Sequence, residues 1–406
     1  MTSFPKGAWR RAGAVLLAFW LLVGYALPNT IWQNVSAALL IRRAVVEAHP
    51  LTTLIVTGAL FAAIWISFMR DARSDAWAQT VWLLLIVWAS GYLFDPPGRG
   101  YSGVEVMRCA LVLAMAGCGL LCARVLKPGE VMALVVLLAG MQAGFALYYY
   151  FTGRNLFYTY QIGRAGGTFG TPVHVYTQML MAIPMGMALW RVRRERVARV
   201  ILPLALALQL LALWVTYTRS AWFAMSVVLP CVIWALWRNC RLAIVTGVIM
   251  WIALAGMYTL RIAGSPQYRD TTAQARVDVW RMGWQTFTQN WLWGVGTDNV
   301  RLYYTSTWRG YPVSTWYGAP ENQLLLWLCE RGIWGGLFGV FLIVSLYRRL
   351  REMSPHLRWG LGGALLAMGI LGMFQSVFGR IEEGVETVLV NAIWGAMVRR
   401  EATHDE

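Results

Sequence analysis

Apolar stretches of about 17 to 25 residues, each long enough to cross a bilayer as a helix, recur along this chain with short polar breaks between them. Twelve stand out, near 12–28, 51–69, 79–94, 104–123, 130–151, 172–190, 200–217, 220–237, 242–260, 323–346, 359–378 and 384–398. The third and the last are the shortest. Residues 31–41 read as an interfacial or re-entrant segment instead. The pattern predicts an all-α polytopic membrane protein, one membrane domain over 1–406. Its longest departure from the apolar register, 261–320, forms a loop subdomain between the ninth and tenth helices.

Composition agrees, since 58% of the 406 residues are hydrophobic and 13% charged. The first apolar run is followed by Leu-Pro-Asn-Thr rather than by a small-residue cleavage motif, so it is expected to stay as the first anchor. All six cysteines (Cys109, Cys118, Cys122, Cys231, Cys240, Cys329) fall in apolar spans or at their ends, without zinc-like spacing, and read as small core residues. Of the 35 basic residues only Lys6 and Lys127 are lysine. Genome composition or a demand for forked anion contacts would produce that bias.

Charge sets the orientation. With the N-terminus inside, the inner loops receive twenty basic residues, including the run Arg191-Val-Arg-Arg-Glu-Arg196, and the outer segments receive fourteen, with Arg331 inside a span. The excess marks the cytoplasmic side. Both termini are therefore expected in the cytoplasm, and 261–320 outside it. That loop holds Arg261, Arg269, Arg276, Arg281, Arg301 and Arg309, cations on the side where they are normally scarce.

Outer arginines also stand at Arg154, Arg164, Arg219 and Arg380, each beside the mouth of a span, where together they would line one cavity. Residues 200–237 are apolar except for Thr216-Tyr-Thr-Arg-Ser220, just enough for a tight turn. Thr218 or Ser220 is expected to cap the helix that follows, with Arg219 at its positive end. A guanidinium beside unpaired backbone N–H groups suits a phosphate or pyrophosphate. An interfacial arginine reaching membrane lipid headgroups is the plainer alternative.

Within the loop, Thr271-Thr-Ala-Gln274 resembles a capping box, and Trp280, Trp284, Phe287 and Trp291 follow at helical spacing. Arg276 falls on the same face, four residues before Trp280. On an apolar stripe it needs a partner, either Asp278, Asp298 or Glu321, or a substrate phosphate. The helix is expected to end in Trp291-Leu-Trp-Gly294-Val-Gly296, where glycines permit a sharp turn. Pro320-Glu321-Asn322 then opens the tenth span. Glu321 reads as a helix-capping acid or as a general base that takes a proton from an acceptor hydroxyl. Glu330 and Arg331, further along, read as a structural pair within the span.

Absences narrow the chemistry. No Asp-x-Asp pair stands at an outer loop, and His49, His174, His356 and His404 are scattered singly, so no metal site is expected. There is no P-loop and no Gly-x-Ser-x-Gly elbow. No cofactor and no nucleic-acid partner is expected. A cation-rich outer cavity suits a reaction whose leaving group is a phosphate already in the membrane. A flippase would also be a basic bundle of about twelve helices, but it calls for ionisable groups along a mid-bilayer path, whereas these charges gather at one face.

The order Gly163-Arg164-Ala-Gly-Gly-Thr-Phe-Gly-Thr-Pro172, Thr218-Arg219-Ser220-Ala-Trp222, Ala275-Arg276-Val-Asp-Val-Trp280, Leu292-Trp-Gly294-Val-Gly296-Thr-Asp-Asn299, Pro320-Glu321-Asn322 and Glu330-Arg-Gly332-Ile-Trp-Gly335 resembles the O-antigen ligase and polymerase superfamily. The resemblance implies a GT-C-like, metal-independent inverting glycosyltransferase. It would move a glycan from undecaprenyl pyrophosphate to lipid A-core at the periplasmic face of the bacterial inner membrane. A polymerase joining two lipid-linked glycans uses the same donor. By likeness, Arg219 and Arg276 hold the pyrophosphate. Glu321-Asn322 stands where many family ligases have His-Asn, which makes Glu321 the candidate base. Arg154, Arg164, Arg301, Asn322 and Arg380 are the candidate substrate-binding residues.

Overall fold

The computed structural model describes residues 128–153, 172–264, 271–296, 300, 307–308, 311–312 and 320–375. The four expected spans before residue 128, the segment 31–41 and the span at 384–398 lie outside them. Five long helices come first, α1 (Pro128–Thr152), α2 (Pro172–Val192), α3 (Arg196–Val215), α4 (Arg219–Trp237) and α5 (Cys240–Gly264). They match five predicted stretches to within a few residues at each end. Proline opens α1 at a position that needs no donor, and Gly153 closes it with a positive φ of 64°. Pro184, Pro203 and Pro230 sit inside α2, α3 and α4, as helices packed on other helices tolerate. By length and composition, three of the described helices suffice to cross a membrane: Met132–Thr152, Arg196–Val215 and Arg219–Trp237.

Helix α2 is the hub. It packs on α1, α3 and α4 and on the last described helix, α9 (Pro355–Gly372), while α4 also packs on α5 and α9. Val175, Tyr176, Met179, Leu180, Ala182, Ile183 and Met185 are buried in succession, so α2 presents apolar atoms all round. Buried amides link its neighbours, as where Gln209 Nε2 of α3 donates to the Val136 carbonyl of α1 at 2.9 Å.

Between α5 and α9 lie α6 (Thr271–Gln289), a two-residue antiparallel pair β1 (Thr307–Trp308) and β2 (Tyr311–Pro312), α7 (Gln323–Arg331) and α8 (Ile333–Glu352). The predicted tenth span is thus corrected. It breaks at Gly332, which adopts φ 61° and ψ −148°. Nine helical residues rise roughly 14 Å, less than half of a hydrocarbon core about 30 Å thick. Helix α7 instead packs on α6 around Val279, Met282, Val295, Val300, Leu326 and Cys329.

That small core takes up one side of α6, with Phe287 packed beside it. The buried stripe is Val279, Met282 and Thr286, while Trp284 and Trp291 are exposed. The two helices approach closely on this side, because a Cβ at Gly283 would touch Leu325 and Pro320 at 3.0 and 3.3 Å. Cys329 Sγ donates to the Gly283 carbonyl at 3.0 Å, and burial pushes its thiol up to about 12.

Two glycine turns lock this unit. Val295 N–H donates to the Cys329 carbonyl (2.8 Å), Gly296 N–H to the Glu330 carbonyl (3.1 Å), and Ile333 N–H to the Trp291 carbonyl (2.7 Å). Gly294 (φ 73°) lies against the backbone of Glu330 and Arg331, and Gly332 against that of Trp291 and Leu292. Any side chain at either place meets main chain. The Glu330–Arg331 pair therefore sits at the end of a short helix, with Glu330 7% exposed, rather than midway along a span.

Candidate functional site

The turn expected at 216–220 is present. Thr216 caps the end of α3, its hydroxyl donating to the Leu213 carbonyl at 2.7 Å, and the Trp222 indole N–H reaches the same carbonyl at 3.2 Å. Tyr217 takes φ 50°, a left-handed conformation that reverses the chain in three residues. Helix α4 then starts at Arg219 itself. Thr218 holds the cap position without capping. Its hydroxyl donates to the Thr216 carbonyl at 3.2 Å, which corrects the expectation that Thr218 or Ser220 would satisfy the first-turn N–H groups. Arg219 is half-buried beside that positive end.

Segment 320–322 is where the other elements meet. Asn322 caps α7, its Oδ1 accepting from Leu325 N–H at 3.0 Å while its Nδ2 donates to the Met373 carbonyl at 3.1 Å. Cap and cross-link thus fall to Asn322, so the expected capping role does not belong to Glu321. Glu321 stands one residue outside the cap, half-buried, and its carbonyl accepts from the Trp280 indole at 3.3 Å. Arg276, also half-buried, lies one turn before Trp280 on the same side of α6. Asp278, one of its expected partners, meets Arg281 at 3.6 Å on the exposed side.

The link back to Arg219 runs through the end of α9. Phe374 follows the Met373 carbonyl held by Asn322, and its ring packs edge-on against Phe223, one turn below Arg219, with centroids 5.7 Å apart. Tyr176 of α2 donates to Gln375 Oε1 one residue further on. The elements carrying Arg219, Arg276 and Glu321 are therefore joined through 320–322 and 373–375. Arg154, Arg164, Arg301 and Arg380 lie outside the described residues, as does Asp298.

A hydroxyl pair at this end was not expected. Tyr150 Oη of α1 and Tyr217 Oη lie 2.9 Å apart, two residues from Arg219 in the turn. The hydrogen bond to Tyr150, then burial, pushes the Tyr217 phenol from 10.0 up to about 12. The pair is 67 residues apart in sequence, and nothing in the local pattern announces it.

A helical protein with membrane-length apolar helices, in which the helices bearing Arg219 and Arg276 are tied to the segment 320–322, is the class that the described fold defines. Residues 204–340 match the family described as O-antigen ligase, a stretch that contains Arg219, Arg276, Glu321 and both glycine turns. Over those residues, about a third of the chain, the sequence is similar to that family. No curated protein matches the chain.

Proposed function

We propose that the protein is an O-antigen ligase of the bacterial inner membrane, with both termini in the cytoplasm and its site facing the periplasm. In this reading it transfers a glycan from undecaprenyl pyrophosphate to lipid A-core without a metal. The observation that carries the reading is the family match over residues 204–340, which takes in the segment where Asn322 caps α7 and ties it to Met373 with Glu321 beside it. The same match supports a lipid-linked glycan as the substrate class.

Arg219 and Arg276 bind the two phosphates of the donor and stabilise the charge that develops as the anomeric carbon–oxygen bond breaks. The uncapped first turn of α4 adds backbone N–H groups to the same anion. Glu321 accepts the proton of the acceptor hydroxyl while that oxygen attacks the anomeric carbon from the opposite face, inverting it. The lipid pyrophosphate leaves. Asn322 and Trp280 fix the backbone on either side of Glu321 so that the carboxylate points consistently. Arg154, Arg164, Arg301 and Arg380 are proposed to complete the substrate surface.

The test is transfer by Arg219→Ala and Arg276→Ala proteins that remain folded and inserted. Each should lose at least about a hundredfold in rate, the scale of removing a charge-stabilising group from a transition state. Near-normal transfer by both would end the pyrophosphate assignment.

A further inference from the structure

Two exposed tryptophans stand at the tip of the α6–α7 unit, and the transfer chemistry proposed above does not use them. Trp293 is 72% exposed and Trp334 52%, and their rings lie 6.2 Å apart between centroids with planes tilted by 33°. They come from two separate turns, one on each side of the glycine clamp. The N–H groups of Val295, Gly296 and Ile333 hold the backbone that carries both. Neither ring belongs to the small core around Val279 and Leu326. A rigidly held, solvent-facing pair of indoles is a recognition surface rather than a packing element.

Helix register places the pair relative to the bilayer. Gly335, Gly336 and Gly339 of α8 lie against Trp327, Leu328 and Leu324 of α7, so the two helices run antiparallel from the turn at Gly332. From that turn α8 returns to the bundle, where Leu346 and Leu350 pack on the main core. Helix α7 therefore leads outward, away from Asn322 and its bond to Met373 at the end of α9. Its nine residues rise roughly 14 Å. Helix α2, whose Tyr176 meets Gln375 at that same end, has 21 residues and spans roughly 31 Å, the thickness of a hydrocarbon core. The headgroup layer adds only about 5 to 8 Å on each side. With the bundle end at the hydrocarbon boundary, both indoles stand beyond the layer in which an aromatic belt anchors.

The flanking residues Leu292, Gly294, Ile333 and Gly335 carry no charge, so an anion finds no counter-ion beside the rings. The C–H face of a neutral pyranose does find a partner, because its polarised hydrogens meet the negative face of an indole. We infer that Trp293 and Trp334 form a carbohydrate-binding subsite that stacks on a neutral sugar ring of a glycan substrate, beyond the sugar that reacts. The subsite rests on the glycan transfer proposed above, in which the phosphates sit at Arg219 and Arg276 and the glycan leads away from the membrane past 320–322. The donor glycan and the core oligosaccharide of the acceptor both present such a face.

The experiment measures binding to the full chain, purified in neutral detergent, by native mass spectrometry. One pair of probes is undecaprenyl pyrophosphate carrying a single N-acetylhexosamine and the same lipid carrying a longer neutral oligosaccharide. The other pair is lipid A without and with its core oligosaccharide. Wild type should bind the longer member of one pair about tenfold or more tightly than the shorter, and the pair that shows the preference identifies the glycan. Trp293→Ala/Trp334→Ala should abolish the preference while binding the shorter member as wild type does. Trp293→Phe/Trp334→Phe, which keeps two flat rings, should restore most of it, and Trp293→Leu/Trp334→Leu, which keeps apolar bulk without a ring face, should not. These two variants keep the test decisive if the alanine protein does not fold. Arg219→Ala should weaken both donors and leave their ratio intact; unchanged donor affinity in that variant would end the pyrophosphate assignment and leave the subsite standing. Equal binding within both pairs, as for indoles that rest only on lipid headgroups, or a preference that survives in the leucine variant, would overturn the subsite.

Discussion

Glu321 and Asn322 are neighbours in sequence with opposite duties, and the duty of each follows from where α7 begins. A helix cap must stand at the first non-helical residue, and that residue is Asn322. Asn322→Ala should therefore lower stability by about 1 kcal/mol, with Asn322→Asp recovering the cap but not the bond to Met373, as thermal melting of both variants would show. Glu321→Gln should cost about a hundredfold or more in transfer if Glu321 is the base. Glu321→His should retain activity if a base is what the position requires. Tyr217 makes a pH prediction. Its phenol is raised from 10.0 to about 12 in the folded protein, so its contribution to stability is complete below 10.0 and is lost as pH rises from 10.0 towards 12. Tyr217→Phe should flatten the fall in melting temperature between pH 10 and 12, and an identical fall in both proteins would contradict the tyrosine pair. The sequence showed Pro-Glu-Asn and the Thr-Arg-Ser turn plainly. It did not show Tyr150 beside Tyr217, because that contact depends on how α1 and the turn meet.

At the scale of elements, the apolar stretches at 130–151, 172–190, 200–217, 220–237 and 242–260 all became helices, because in each the length and the absence of charge say the same thing. The stretch at 323–346 failed for a physical reason. Hydropathy reports that a residue avoids water, not whether lipid or protein replaces it. Leu326 and Cys329 are apolar because they pack on Val279 and Met282, not because they face a bilayer. The only mark of the break in sequence was Glu330-Arg-Gly332, whose glycine carries the turn. The glycine turns at 294–296 and 332, which fall within two of the family motifs, are the two halves of a backbone clamp. Gly332→Ala places a methyl 2.5 Å from the Leu292 carbonyl in a left-handed conformation and should destabilise α7 by well over about 1 kcal/mol. Limited proteolysis at 290–335 should accelerate, and transfer should fall with it as α6 and α7 part.

Across the whole molecule, the described helices separate two charged ends. One holds the elements that carry Arg219, Arg276 and Glu321, joined through 320–322 and 373–375; the other gathers arginines of α2, α3 and their connection around Trp190 and Trp237. Chelators should leave transfer intact, since arginines rather than a divalent ion carry the leaving-group charge in this account. The central claim is most directly tested by giving the purified protein, with chelator present, a lipid-pyrophosphate glycan together with lipid A-core in one reaction and a second lipid-linked glycan in another. The account predicts glycan transferred to lipid A-core with release of lipid pyrophosphate, and loss of that product in Arg219→Ala. Growth of the lipid-linked glycan alone, or no product in either reaction, would contradict it.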